Sequence, residues 1–250
     1  MKGGSAVHDL PEVRWDFLLP KEFGERVAAC PVCYMPLGTL ERHGSHLPFG
    51  QDGLKAYGLC LRAAQAYGGV VLPPLHWGTH GWWAEEYRAG LPGERLDRRQ
   101  PQGSVYIHEG LLMSLLHSMF REVEHAGCKV VVALTGHYPA VQVQAVKSAA
   151  AQYMVSSPVR IWALCEPELS GEVEVGSDHA GKWETSLFWA MYPDYVKIER
   201  CPDPDTGEFL WSSKEALAAS PQLGQTLVEY IVSKLGEGAS KLLETYDVQC

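Results

Sequence analysis

Short apolar runs of strand length alternate along this chain with longer segments of helical period. Val32–Leu37 reads as a first strand, Leu54–Tyr67 as a helix and Val70–Leu75 as a second strand. His108–His125 then predicts a helix, Val130–Leu134 a strand, Ala140–Met154 a helix and Val159–Leu164 a strand. Strands rich in Val and Leu, separated by helices, predict an α/β fold whose sheet is mostly parallel and covered on both faces. Gly127 is placed to cap the helix before the third strand. An amphipathic helix, from about Leu223 to Tyr246, is expected near the end of the chain.

The stretch from His76 to Val105 breaks this alternation. It carries Trp77, Trp82, Trp83, Gly90, Pro92, Gly93 and Pro101 with no sustained period, and a loop of that length inside a compact domain is usually functional. Its aromatics predict a pocket wall or a subunit contact. No repeat, low-complexity tract or linker divides the chain, so residues 1–250 are expected to form one domain.

Composition narrows the class. With 46% hydrophobic and 20% charged residues the chain can bury a single large core, which excludes a disordered or coiled-coil protein. The net charge is −9 and the densest basic cluster is only Arg95, Arg98 and Arg99, so no nucleic-acid partner is expected. No apolar stretch approaches a membrane span, and the N-terminus lacks the apolar core of a secretory signal, which predicts cytoplasmic residence. Seven irregularly spaced cysteines argue for a reducing compartment. Cys30-Pro-Val-Cys33 leads into a strand, where residues three apart face opposite sides. Buried structural thiols are therefore expected there, not a redox or zinc pair.

Three polar clusters follow predicted strand ends or open a helix, where open parallel sheets bind ligands. They are Glu41-Arg42-His43-Gly44-Ser45-His46 continuing to Gln51-Asp52-Gly53, then Thr135-Gly136-His137-Tyr138, then Asp178-His179-Ala180-Gly181-Lys182-Trp183-Glu184. Glu41 and His43, two residues apart, point to one side of extended chain and together suit a divalent metal. Asp52 can fold back past the turn at Pro48 and Gly50 and bridge a pair of ions, while His137 and Glu184 would complete the site from the other clusters. Two divalent ions against three carboxylates and one hydroxide balance in charge. Such a pair makes water a nucleophile at neutral pH, so hydrolysis is the natural reaction.

At these residues the sequence resembles the creatininase (creatinine amidohydrolase) family. The resemblance is carried by the segment from Met35 through Glu41, His43 and His46 to Asp52, by Thr135-Gly136-His137-Tyr138, and by His179-Ala180-Gly181-Lys182-Trp183-Glu184-Thr185-Ser186. It spans about Cys30 to Lys197. It implies a three-layer α/β/α sandwich, two divalent ions (zinc, manganese or both), a small-molecule substrate and a homo-oligomer, often a hexamer. By the same resemblance Glu41 and His137 would hold one ion, His43 the other, with Asp52 between them. His179 would relay a proton to the leaving nitrogen, with Asp178 beside it.

The departures are specific. Pro139 stands where creatininase has a metal-binding glutamate, and Glu184 is expected to serve instead. Thr135 and Ala140 replace asparagines, and Gly90-Leu91-Pro92-Gly93 is the nearest remnant of a His-Phe-Pro-Gly-Thr signature. The expected reaction is cleavage of a C–N amide or lactam bond in a small polar molecule other than creatinine. Ring opening of a cyclic ketone such as a keto-inositol is the alternative at the same site, and a non-catalytic metal-binding relative is another.

Several residues carry two readings. Tyr138 could steady a developing oxyanion or anchor its loop, and Trp183 could stack on a planar substrate or belong to the core. His46 is read as stabilising its turn and Lys182 as a solvated charge. His76, His80, His108, His117 and His125 fall outside the clusters.

Overall fold

The computed structural model describes residues 11–79, 103–201 and 213–247. Helix α1 (Pro20–Ala29) leads into β1 (Val32–Leu37), α2 (Gln51–Tyr67) and β2 (Val70–Val71). Two short strands follow, β3 (Gly78–Thr79) and β4 (Tyr106–Ile107), then α3 (Glu109–His125), β5 (Val130–Thr135), α4 (Ala140–Met154) and β6 (Arg160–Cys165). The chain closes with α5 (Lys182–Met191), α6 (Ser213–Ala216) and α7 (Pro221–Asp247).

The main sheet runs β2-β1-β5-β6 and every pairing is parallel. Alternation along each strand divides its side chains between two cores. Val32 and Tyr34 of β1, with Val130, Val132 and Leu134 of β5, face α2 and α7. Cys33, Met35 and Leu37, with Val131 and Ala133, face α3 and α4. On α3 the buried residues Leu112, Leu116, Phe120 and Val123 recur at helical spacing, and each contributes roughly 1.5–3 kcal/mol relative to exposure. The result is the three-layer α/β/α arrangement. Among the described residues no helix is long and apolar enough to cross a membrane.

Gly127 ends α3 as expected: its N–H reaches Glu124 O at 2.9 Å and the Cys128 N–H reaches Val123 O at 3.2 Å, the paired bonds of a Schellman turn. The expected strand Val70–Leu75 is shorter than its hydrophobicity suggests. Pro73 and Pro74 lack the N–H a ladder needs, so pairing stops at Val71 and resumes only as a bridge between Leu37 and Leu75. Helix α2 begins at Gln51, one turn earlier than its apolar period, and so includes Asp52. Cys33 is buried in the α3/α4 core, while Cys30, at the end of α1 and outside β1, is only half-buried and packs against the other core. Trp82 and Trp83, with most of the long loop, lie outside the described residues.

Between β1 and β5 the chain changes direction across the sheet: β2 lies beyond one and β6 beyond the other. Their carboxyl ends form a crevice at this switch point, and Gly38 and Gly136 stand there. A Cβ on Gly38 would come within 2.2 Å of Gly53 N, and one on Gly136 within 2.2 Å of Asp52 O. Only glycine lets the start of α2 sit on both strand ends, and that contact sets the position of Asp52.

Candidate metal centre

Three loops converge above this crevice. Asp52 and His43 are buried there, as are His137 and Glu184. Glu41 keeps 12% of its side chain exposed, and His179 stands at the mouth with 41% exposed.

Asp52 is the hub. Its Oδ1 lies 3.0 Å from His43 Nε2 and its Oδ2 3.1 Å from His137 Nδ1. Glu41 Oε1 lies 3.1 Å from His137 Nδ1, 3.7 Å from His43 Nε2 and 3.5 Å from His179 Nδ1. Glu184 Oε2 lies 3.6 Å from His43 Nε2. These contacts form two overlapping donor groups, Glu41–Asp52–His137 and His43–Asp52–Glu184, each with its donor atoms within 4.8 Å of one another. A third group, Glu41–His43–His179, adjoins them.

The imidazole orientations test whether metal ions fit. His137 Nε2 faces Thr79 O at 2.8 Å, His43 Nδ1 faces Glu41 O at 3.1 Å, and His179 Nε2 faces Arg42 O at 2.9 Å. A carbonyl oxygen only accepts, so each of these nitrogens carries the proton. In the neutral ring the other nitrogen then aims its lone pair at carboxylates. That arrangement is repulsive unless a cation lies between the groups, and a backbone carbonyl behind a metal-binding imidazole is the usual orienting partner. The buried His43 Nε2 and both oxygens of Asp52 lie close to their neighbours without normal hydrogen-bond geometry. The donor set fits two divalent ions sharing Asp52.

Further groups, unmarked in the sequence reading, hold these donors. The Tyr106 hydroxyl donates to Glu41 Oε2 at 2.9 Å. Gln142 Oε1 accepts from the Thr79 N–H at 2.9 Å, steadying the carbonyl behind His137. Lys55 Nζ donates to Glu184 Oε1 at 2.9 Å, with buried Glu166 beyond it at 4.0 Å. Lys55 did leave a trace: it stands three residues after Asp52 on an otherwise apolar helical face. Glu166 directly follows the end of β6, the position rule that picked out the other clusters.

The remaining candidates have structural partners. Asp178 accepts from the Trp183 N–H at 2.8 Å and the Glu184 N–H at 3.1 Å, so both its oxygens cap the start of α5. The Tyr138 hydroxyl receives a hydrogen bond from Lys55. Trp183 packs against the α2/α7 core, with the Lys182 ammonium 4.5 Å from its ring centre. His46 is buried and its Nε2 pairs with Thr185 Oγ1 at 3.0 Å, tying the first loop to α5. Ala180 adopts φ 54°, a left-handed conformation unusual for a residue with a Cβ. Its N–H donates to Glu184 Oε2 at 2.9 Å.

Without metal, protons would have to balance these carboxylates. Burial opposes the charged form of His43, but Asp52, Glu184 and Glu41 outweigh it and bring the imidazole up to about 9. His137 is raised in the same way against its own burial by Glu41 and Asp52. Burial would raise Glu41, yet His137 and His179 bring it down to about 2. Raised histidines stabilise the fold fully below their ordinary value of 6.5 and lose that contribution as pH climbs through about 9. Chelator-treated protein is therefore expected to melt at least about 4 °C lower at pH 9 than at pH 6.5. Saturating zinc should flatten that slope, because metal takes the place of the protons. Parallel melting curves with and without metal would contradict this account.

The family described as creatininase, creatinine amidohydrolase, matches residues 18–237. A creatinine amidohydrolase of Pseudomonas putida is 28% identical over 207 residues, covering 76% of this chain and 75% of the relative. A 3-dehydro-scyllo-inosose hydrolase of Thermotoga maritima is 23% identical over 199 residues, covering 76% of this chain and 60% of the relative. A crystal structure of creatinine amidohydrolase superposes with a TM-score of 0.70 at 25% identity, covering 92% of this chain and 97% of that one. The chain belongs to the creatininase family of amidohydrolases.

Proposed function

We propose that this family hydrolase cleaves a C–N amide or lactam bond in a small polar molecule, using two divalent ions held by Glu41, Asp52 and His137 and by His43, Asp52 and Glu184. The observation that carries the reading is the pair of overlapping donor groups with Asp52 in common. Zinc and manganese are the ions we assign, in keeping with solved creatininases described as a Zn-Zn type and a manganese form. Bound there, such ions lower the pKa of water and polarise a carbonyl.

The chain's own residues do the rest. Glu41 and Asp52 supply acceptors for a proton released at the centre. His179 is pinned through its Nε2–H to Arg42 O, which leaves Nδ1, 3.5 Å from Glu41 Oε1, as the atom that holds or hands over a proton at the mouth. A half-exposed imidazole can meet a departing nitrogen and exchange its proton with solvent. Asp178 acts here by fixing the start of α5, and Tyr138 by anchoring its loop to Lys55. A reducing compartment is in keeping with the seven irregularly spaced cysteines.

Glu41→Gln keeps the shape of the side chain and removes its charge. It is expected to lower hydrolysis by at least about 100-fold, measured on a panel of lactams, formamides and short amides, with the melting curve showing an intact fold. Full activity in this variant would refute the assignment. The Thermotoga relative favours one second reading, ring opening of a cyclic ketone at the same centre. Turnover of cyclic ketones and of no amide on that panel would select it.

A further inference from the structure

Lysine is rarely buried whole, yet Lys55 is fully buried in α2, one turn beyond Asp52. Its ammonium lies 2.9 Å from Glu184 Oε1 and 4.0 Å from Glu166 Oε1, donates to the Tyr138 hydroxyl, and sits 4.2 Å from that ring's centre. Glu166 is fully buried as well, and an uncompensated carboxylate there would be costly. Lys55 therefore stands between two buried carboxylates, 2.9 Å from Glu184 and 4.0 Å from Glu166, directly behind a donor of the proposed metal centre.

Lys55 divides the work of Glu184. Oε1 is taken by Lys55, while Oε2 accepts from the Ala180 N–H at 2.9 Å and lies on the His43 side of the carboxylate. A carboxylate held at one oxygen by an ammonium and at the other by a left-handed backbone amide cannot swing about its terminal bond. It presents one edge to the point shared by His43 and Asp52.

We propose that Lys55, backed by Glu166, is a positioning residue for the second metal site, fixing Glu184 so that Oε2 faces His43 and Asp52. The proposal rests on the two-metal reading above.

The test is metal binding, not turnover. Purified protein is stripped with chelator, then titrated with zinc against a chromophoric chelator, and bound metal is counted by mass spectrometry. Wild type is expected to take up two equivalents. The double variant Lys55→Met/Glu166→Gln preserves net charge and volume while removing the donor to Glu184. Its second equivalent is expected to bind about 10–100-fold more weakly, the usual cost of losing a partner behind a metal ligand, with the first unchanged. Two equivalents at wild-type affinity in that variant would overturn the positioning role while leaving the metal centre intact. Failure of wild type itself to bind a second equivalent would instead overturn the two-metal reading.

Should the methionine variant not fold, Lys55→Gln/Glu166→Gln is a polar alternative whose amide, one bond shorter than lysine, no longer reaches Glu184. The proposal expects this variant too to bind its second equivalent more weakly, and two equivalents at wild-type affinity in folded protein would overturn it.

Discussion

Asp52→Ala is expected to release both metal equivalents and to lower kcat/KM by at least about a thousandfold, equivalent to roughly 4 kcal/mol of transition-state stabilisation. The two oxygens of Asp52 face different imidazoles, Oδ1 toward His43 and Oδ2 toward His137. Glu41 reaches both rings with a single oxygen, 3.1 Å from His137 Nδ1 and 3.7 Å from His43 Nε2, whereas Asp52 gives each ring its own oxygen at the shorter distance. Truncation also removes a buried anion from between two raised histidines. Stability of the metal-free protein should therefore fall along with metal retention. Metal counting by mass spectrometry beside a melting curve separates the two effects. Two equivalents retained by a folded Asp52→Ala protein would dispose of the bridged centre.

The second large effect concerns a residue with no chemistry of its own. Gly136→Ala is expected to destabilise the fold by about 3 kcal/mol or more, lowering the melting temperature by roughly 6–12 °C. The added methyl would meet Asp52 O at 2.2 Å and Asp52 C at 3.0 Å, backbone atoms of a packed helix that cannot rotate away. Gly38→Ala meets Gly53 and Asp52 backbone in the same manner. Gly24 in α1 is the control, because a Cβ there meets nothing within 4 Å, and alanine should stabilise that exposed helix by up to about 1 kcal/mol. If Gly136→Ala melts with wild type, the close approach of α2 to the strand ends is not what seats Asp52.

These two residues also show how far the sequence could be read. Asp52 was legible because a polar cluster followed an apolar strand, and the same rule found His137 after β5. Glu184 was legible because it lies three residues into a helix opened by a polar motif. Apolar runs and helical period located β1, β5, α3 and α4 and a parallel sheet covered on both faces. Asp178 shows the limit. A carboxylate beside His179 invites a catalytic reading, but at the head of a helix two free backbone amides compete for it, and they hold both its oxygens. Nothing local distinguishes those outcomes.

The roles of Lys55 and Tyr106 are hidden in the sequence for a different reason. Each gains its meaning from a partner far away in the chain, Glu184 for one and Glu41 for the other. Helical or strand period registers only which face a residue occupies. Pro73 and Pro74 interrupt an otherwise apolar run, and their two missing donors decide where the β2 ladder ends.

The parallel pairing of β1 with β5 bears on when the centre comes into being. Glu41 and Glu184 lie more than half the chain apart, and each donor group among the described residues joins the first loop to a much later one. While the chain is being synthesised, the first loop emerges with Glu41, His43 and Asp52 but without the imidazole and carboxylate that complete them. Metal capture thus belongs to the last stage of assembly, after the strands have aligned across the seam. An incomplete chain offers the donors of the first loop without the partner that completes either group around Asp52.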